Sequence, residues 1–182
     1  MLRWLACLGL WSTVAHAEES SIPSVIDKRW SVSTGYGVTL ARSQADDAEP
    51  GALIGAQFSL HFRIIPELQV GLVLAVAVDN QHGYAGFLIE PRYAFAAERP
   101  WHPVLVGGMG YASTGGAFLR GGVGLERRFV SWAFSVDAHL THAGGDEMVG
   151  DEFERFGVWG VGMDVSAHYH WGGGKKRRRF VP

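Results

Sequence analysis

Cysteine, lysine and long apolar runs are the scarce features of this chain, and each scarcity excludes something. The one cysteine, Cys7, falls within the first seventeen residues. These read as an export signal: Met1-Leu2-Arg3 is a short positive start, residues 4–14 form a brief apolar run, and Ala15-His16-Ala17 is a small-x-small cleavage site. Removing residues 1–17 leaves 165 (182 less 17) without cysteine, so no disulfide is expected in the mature chain. No run of eighteen apolar residues remains, which excludes a membrane-spanning helix and leaves strands as the means of crossing a bilayer. Lysine occurs only as Lys28, Lys175 and Lys176. A soluble sheet commonly decorates its wet face with Lys and Glu; here the polar face of the alternating segments is mostly Gly, Ser, Ala and Thr. It reads as a narrow interior.

What is present is a period of two. Ala56-Gln57-Phe58-Ser59-Leu60-His61-Phe62-Arg63-Ile64 alternates oily and polar without a slip, the mark of a strand with one apolar face. Eight such segments are predicted, at residues 30–41, 53–64, 67–78, 84–95, 104–112, 118–129, 132–141 and 156–171. Each has roughly the ten residues that a tilted strand needs to cross the hydrocarbon layer. Because no backbone polar group can face lipid unpaired, the strands must close on themselves. The predicted fold is all-β, an eight-stranded antiparallel up-and-down transmembrane β-barrel. Its parts are a cleaved signal (1–17), an N-terminal lead (18–29), the barrel (30–171) and a basic C-terminal tail (172–182).

Outward Trp30, Tyr93, Phe95, Phe129, Trp132, Tyr169 and Trp171 are expected at one interface and Tyr36, Tyr111, Phe156 and Trp159 nearer the other. Pro91, on the lipid face of the fourth strand, forfeits a ladder hydrogen bond and predicts a bulge or an end of regular pairing. The faces of the glycine-rich fifth strand are left unassigned. With both termini periplasmic, residues 65–66, 96–103 and 130–131 are periplasmic turns, and 42–51, 79–83, 113–116 and 142–155 are outer loops. The outer loops hold nine of the eighteen carboxylates, among them Asp46, Asp79, Asp146 and Glu154, while Lys175 to Arg179 form a basic block after the last strand. That block is a solvated tail or a holder of anionic headgroups; the export signal excludes a nuclear role, and no nucleic-acid partner is expected.

These segments resemble the small eight-stranded outer-membrane barrels of OmpA and OmpX type over residues 30–171. Asp164-x-Ser166-x-x-Tyr169-x-Trp171 is similar to the assembly signal of that class, with Ser166 where a glycine is usual and eleven residues after Trp171 where the family usually stops. The resemblance implies the outer membrane of a Gram-negative cell, its lipids and lipopolysaccharide, the barrel-assembly machinery as a partner, and a monomer. An extracellular partner is not indicated, and neither is a cofactor.

The inward charges are the candidate site. His61 and Arg63, Glu90 and Arg92, Glu126 and Arg128, and His168 and His170 place two ionisable groups inward near the ends of strands 2, 4, 6 and 8, with Arg120, Asp137 and Asp164 further along. An eight-stranded interior is just wide enough for side chains to fill it, and a buried charge without a partner is costly, so these groups are expected to pair across the lumen. The structural reading is a plug; the functional one is a gate or narrow ion path. His168-x-His170 has metal-binding spacing, but its predicted neighbours offer only Ser31, Ser33, Ala133 and Ser135, so no metal is expected; an acidic outer loop is likewise preferred to a calcium site. One enzyme alternative exists. His139-Leu140-Thr141-His142 is similar to the His-x-Ser-Asn stretch of eight-stranded lipid A deacylases, with Glu152 or Glu154 at the distance of the acid; against it, the nucleophile is Thr141, and parity points His139 and Thr141 inward, away from lipid. The expectation is a non-enzymatic barrel with a structural or surface-interaction role.

Overall fold

The computed structural model describes residues 28–43, 51–78, 83–113, 116–149 and 152–173. Eight strands carry them: β1 (Lys28–Ser43), β2 (Gly51–Arg63), β3 (Leu68–Val78), β4 (Gly83–Ala94), β5 (Trp101–Ala112), β6 (Ala117–Arg128), β7 (Trp132–Val149) and β8 (Glu152–Gly173). Each pairs antiparallel with the next and β8 pairs with β1, closing the barrel. Among the described residues no helix is long and apolar enough to cross a membrane. The pleat sends successive side chains to opposite faces, and closure leaves no open edge. With an even number of strands, β1 begins and β8 finishes at one end, the terminal end; the opposite end is the loop end.

The outer wall is apolar. Leu40, Ile54, Phe58, Leu74, Ile89, Met109, Val123, Leu140 and Val161, drawn from all eight strands, are exposed. A soluble monomer rarely exposes a contiguous apolar patch beyond a few hundred Å², and this one runs around the whole circumference. Trp30, Phe62, Tyr93, Phe95, Trp101, Trp132, Tyr169 and Trp171 ring the terminal end, with Trp30 and Phe62 4.9 Å apart and Trp132 and Tyr169 also 4.9 Å apart. Arg127 emerges among them, its guanidinium 5.1 Å from the Trp101 ring and 5.0 Å from that of Phe129, as suits a charge at an interface. Trp159 lies twelve residues from Trp171 along β8; at ~3.3 Å per residue and a tilt of ~45°, that separation spans roughly 28 Å, close to the hydrocarbon thickness. Phe87 and Tyr111 contact each other toward the same end as Trp159. Tyr36 sits midway along β1 instead of in that girdle, and the Phe156 side chain lies outside the described residues.

Three expectations need correction. Pro91 makes no bulge, although regular pairing with β5 lapses at Glu90 and Pro91 as expected: Ile89 pairs with Met109 and Arg92 with Val106, so the β4–β5 register is the same on both sides. An imide nitrogen removes one donor without adding a residue, and the ladder therefore loses a rung but keeps its register. Second, the stretch taken as a turn up to Pro103 contains the start of β5. Trp101 and Pro103 face outward there and His102 inward; the turn proper is residues 95–100, where Ala96 adopts a φ of 52° and Ala97 is buried beneath. Third, β7 and β8 continue their ladder through residues 142–149 and 152–158, pairing as far as Val149 with Glu152, where an irregular outer loop was expected.

Inside, bulk on one strand meets glycine on its neighbour. Gly37 pairs with Asp164, Gly71 with His61 and Glu90, Gly124 with Asp137, and both Gly122 and Gly162 with His139. The large polar side chain lies over the space a Cβ would occupy. At Gly124 an added Cβ would meet the Asp137 carboxylate and lie 2.7 Å from the Val136 carbonyl oxygen, whereas at outward Gly121 it would meet nothing within 4 Å. Gly124→Val is expected to cost about 1–3 kcal/mol in urea unfolding from lipid vesicles, as overpacking does, and Gly121→Val is expected to leave stability unchanged. Equal effects at the two positions would refute the packing rule.

Candidate functional site in the barrel lumen

The lumen holds an unusual density of buried charge. At its centre Arg92 reaches two acids: Nε donates to Glu126 Oε2 (3.3 Å), and Nη1 and Nη2 donate to the two oxygens of Asp137 (3.2 and 3.3 Å). A guanidinium fork on a carboxylate is a strong, directional pair. Glu126 is shared further, with Oε1 accepting from Arg128 Nε (2.7 Å) and lying 3.0 Å from His102 Nε2. Arg128 also donates to the Ala97 carbonyl (3.1 Å), and His102 Nδ1 sits 3.2 Å from the Arg99 carbonyl; the network thereby ties down the β4–β5 turn. Ser135 donates to Asp137 (3.0 Å) and contacts His168 Nε2 (3.1 Å).

A second group gathers around Arg120, Asp164 and Glu90. Arg120 pairs with Asp164, donates to Gln57 Oε1 (2.6 Å) and stands 3.9 Å from Glu90. His139 is held between Asp164 (3.4 Å from Nδ1) and the Thr39 hydroxyl (3.4 Å from Nε2). His61 Nε2 lies 3.4 Å from Glu90, with Ser59 at its Nδ1 (3.1 Å). A small cavity lined by Gly37, Thr39, Gly55, Ala75 and Ala77 reaches Arg120, His139 and Asp164.

Apolar side chains fill other parts of the lumen. Val73, Leu88, Ala112, Phe118 and Ala143 form one cluster, and Ala94, Ala97, Val104 and Val106 another. Leu88 and His102 are completely inaccessible and Glu126 is 1 % exposed.

Each expected lumen residue therefore faces inward and is buried: His61, Arg63, Glu90, Arg92, Arg120, Glu126, Arg128, Asp137, Asp164, His168 and His170. Pairing is uneven. Arg63, expected to join the ion pairs, has no hydrogen-bond partner for any of its three guanidinium nitrogens among the described residues, because Glu126 already serves Arg92, Arg128 and His102. His102 escaped notice because Pro100 and Pro103 made its segment look like a turn; its step of two from Val104 and Val106 was the available signal. Gln57, Ser59 and Ser135, unremarkable polar residues in the sequence, prove to be partners of the charges.

The residues of the hydrolase alternative do not assemble. Glu152 pairs with Val149 at the hairpin tip, ten positions along β8 from Gly162, the partner of His139, which is roughly 33 Å of extended chain. His139 and Thr141 face the lumen, and the carboxylate beside His139 is Asp164. Among the described residues no group of three or more His, Cys, Asp or Glu is placed to hold a metal ion; the rings of His168 and His170 stack with centroids 6.3 Å apart. Of the expected assembly signal, Asp164 and Ser166 point into the lumen and Tyr169 and Trp171 stack on the outer wall, 6.2 Å apart.

No protein-family model matches the chain, and no curated protein sequence matches it. Among solved structures, it is similar to neisserial surface protein A, with a TM-score of 0.63 at 11 % identity over 78 % of this chain and 97 % of that one. The N-terminal β-barrel domain of Pseudomonas aeruginosa OprF matches with a TM-score of 0.44 at 17 % identity, covering 75 % of this chain and 97 % of that one. The closed eight-strand topology and its apolar wall give this chain the fold of the small outer-membrane β-barrels of OmpA and OmpX type.

Proposed function

We propose that this protein is a monomeric, non-enzymatic barrel of the Gram-negative outer membrane, with periplasmic termini and a closed lumen, that acts through its acidic outer face in surface interaction or envelope maintenance. The observation that supports it best is the inversion of polarity: apolar side chains cover the outside of all eight strands, and most of the barrel's ionisable ones are turned inward. Orientation rests on charge. The connections at the loop end carry the acidic clusters, and the terminal end carries Lys28, Arg29, Arg99, Arg127 and the block from Lys175 to Arg179, which suits the anionic headgroups of an inner leaflet. Export by the signal at residues 1–17, and assembly through Asp164, Ser166, Tyr169 and Trp171, belong to the same reading.

Cells expressing the full chain test it. The protein is expected in the outer-membrane fraction, with heat-modifiable migration in detergent gels and an unchanged lipid A acylation pattern by mass spectrometry. Recovery as a soluble periplasmic protein would overturn the location; loss of an acyl chain from lipid A would restore the hydrolase.

A further inference from the structure

Just inside the terminal mouth, positive charge gathers without acid to match it. Arg63 ends β2, Arg128 ends β6 and His170 is three residues from the end of β8; their exposures are 5 %, 2 % and 1 %. All three nitrogens of Arg63, Nη2 of Arg128 and Nε2 of His170 have no hydrogen-bond partner among the described residues. These groups share one neighbourhood. Ser31 pairs with both His61 and His170, and Arg128 pairs with Ala133, itself the partner of His168, so Arg63 and Arg128 each stand within one pleat of the His170 row; the charges that act on Arg63 are Arg128, of like sign, and Glu126, and those acting on His170 are Glu126, Arg63, Arg128 and Lys28. Glu126 is the one carboxylate in both sets, and its oxygens are taken by Arg92, Arg128 and His102. Lys28 is occupied as well, donating to the Val130 carbonyl (3.1 Å) and to Ser131 Oγ (2.5 Å).

An unpaired guanidinium held out of water is among the costliest arrangements a fold can contain, and here two guanidinium groups of like charge share one space. We propose that Arg63, the free Nη2 of Arg128 and Nε2 of His170 form an oxyanion site that takes a phosphate group. Planar guanidinium forks match the tetrahedral oxygens of phosphate, and a single anion cancels the repulsion between the two arginines. Two sources share this chemistry: inorganic phosphate, and a lipid phosphate at the level of the aromatic ring formed by Trp30, Phe62 and Trp171. The site stands on the residues alone; only its lipid source rests on the proposed membrane location.

The test compares the full chain with Arg63→Met, which keeps bulk and removes charge. In a phosphate-free sugar detergent, Arg63→Met is expected to unfold at a higher temperature than the wild type. Adding inorganic phosphate is expected to raise the wild-type midpoint and leave that of the variant in place, closing the gap, with calorimetric phosphate affinity at least about tenfold weaker in the variant. Closure of the gap on transfer to phosphatidylglycerol vesicles, without added phosphate and with none on adding it in detergent, assigns the site to a lipid headgroup. A variant no more stable than the wild type in phosphate-free detergent would show that Arg63 already has a partner and would overturn the proposal. A gap that neither phosphate nor lipid closes would overturn it equally.

Discussion

Replacing Arg92 by methionine is expected to remove about 3–5 kcal/mol of stability, the usual cost of stranding buried charges by deleting their partner. Arg92 is 4 % exposed and is the donor that Glu126 and Asp137 share; without it, among the described residues, Asp137 keeps the Ser135 hydroxyl and Glu126 keeps Arg128 and His102. Urea unfolding from lipid vesicles measures the loss. A double variant, Arg92→Met with Asp137→Asn, is expected to recover part of it, since one stranded charge is then gone. A single-variant loss below about 1 kcal/mol, the range of exposed pairs, would mean that the network is wet and weak. The same proteins separate plug from path in planar bilayers: silence is expected, and a steady wild-type conductance that changes with Arg92→Met would make the network an ion route.

Leu74→Arg is expected to be nearly as damaging, for a reason that lies outside the protein. Leu74 sits mid-strand on β3, 53 % exposed, between Phe58 and Phe87 on the flanking strands. In water such a site accepts arginine freely. At the bilayer midplane the same change costs about 2–4 kcal/mol, falling to about 0–1 near the interface. Ile65→Arg, at the terminal rim, is therefore the control. A position-dependent penalty in vesicle unfolding supports the membrane reading, and equal effects at both sites would count against it.

How far the sequence discloses this molecule depends on how local the determining physics is. Parity is local: once Phe58, Leu60 and Phe62 are outside, the pleat forces Ser59, His61 and Arg63 inside, and both the closed barrel and the inward set followed from that alone. Pairing is not local. Nothing near Arg63 in the chain reveals that Glu126 is already shared by Arg92, Arg128 and His102, because those five residues meet only after β2, β4, β5 and β6 have closed around them. Residues 107–110 of β5 gave no alternation to read, since inward Gly108 and Gly110 differ little from outward Gly107. The acidic composition of residues 142–155 looked like a loop. There the β7–β8 ladder prevails over residue preference, extending a hairpin whose strands are already aligned below.

The seam between β1 and β8 also bears on how the barrel forms. Seven of its eight strand pairings join neighbours in sequence, so each can zip from a short connection, but the seam joins Lys28 to Gly173, near opposite ends of the barrel sequence. Loop-closure entropy falls most heavily on that contact, which makes it the natural late step of folding. Until it forms, two rows of unsatisfied amides would face hydrocarbon, where each carries a penalty of several kcal/mol. A half-closed intermediate is thus poorly tolerated in the bilayer, and insertion and closure are bound into one event: the last strand of the barrel is also the one that decides when the protein becomes a membrane resident.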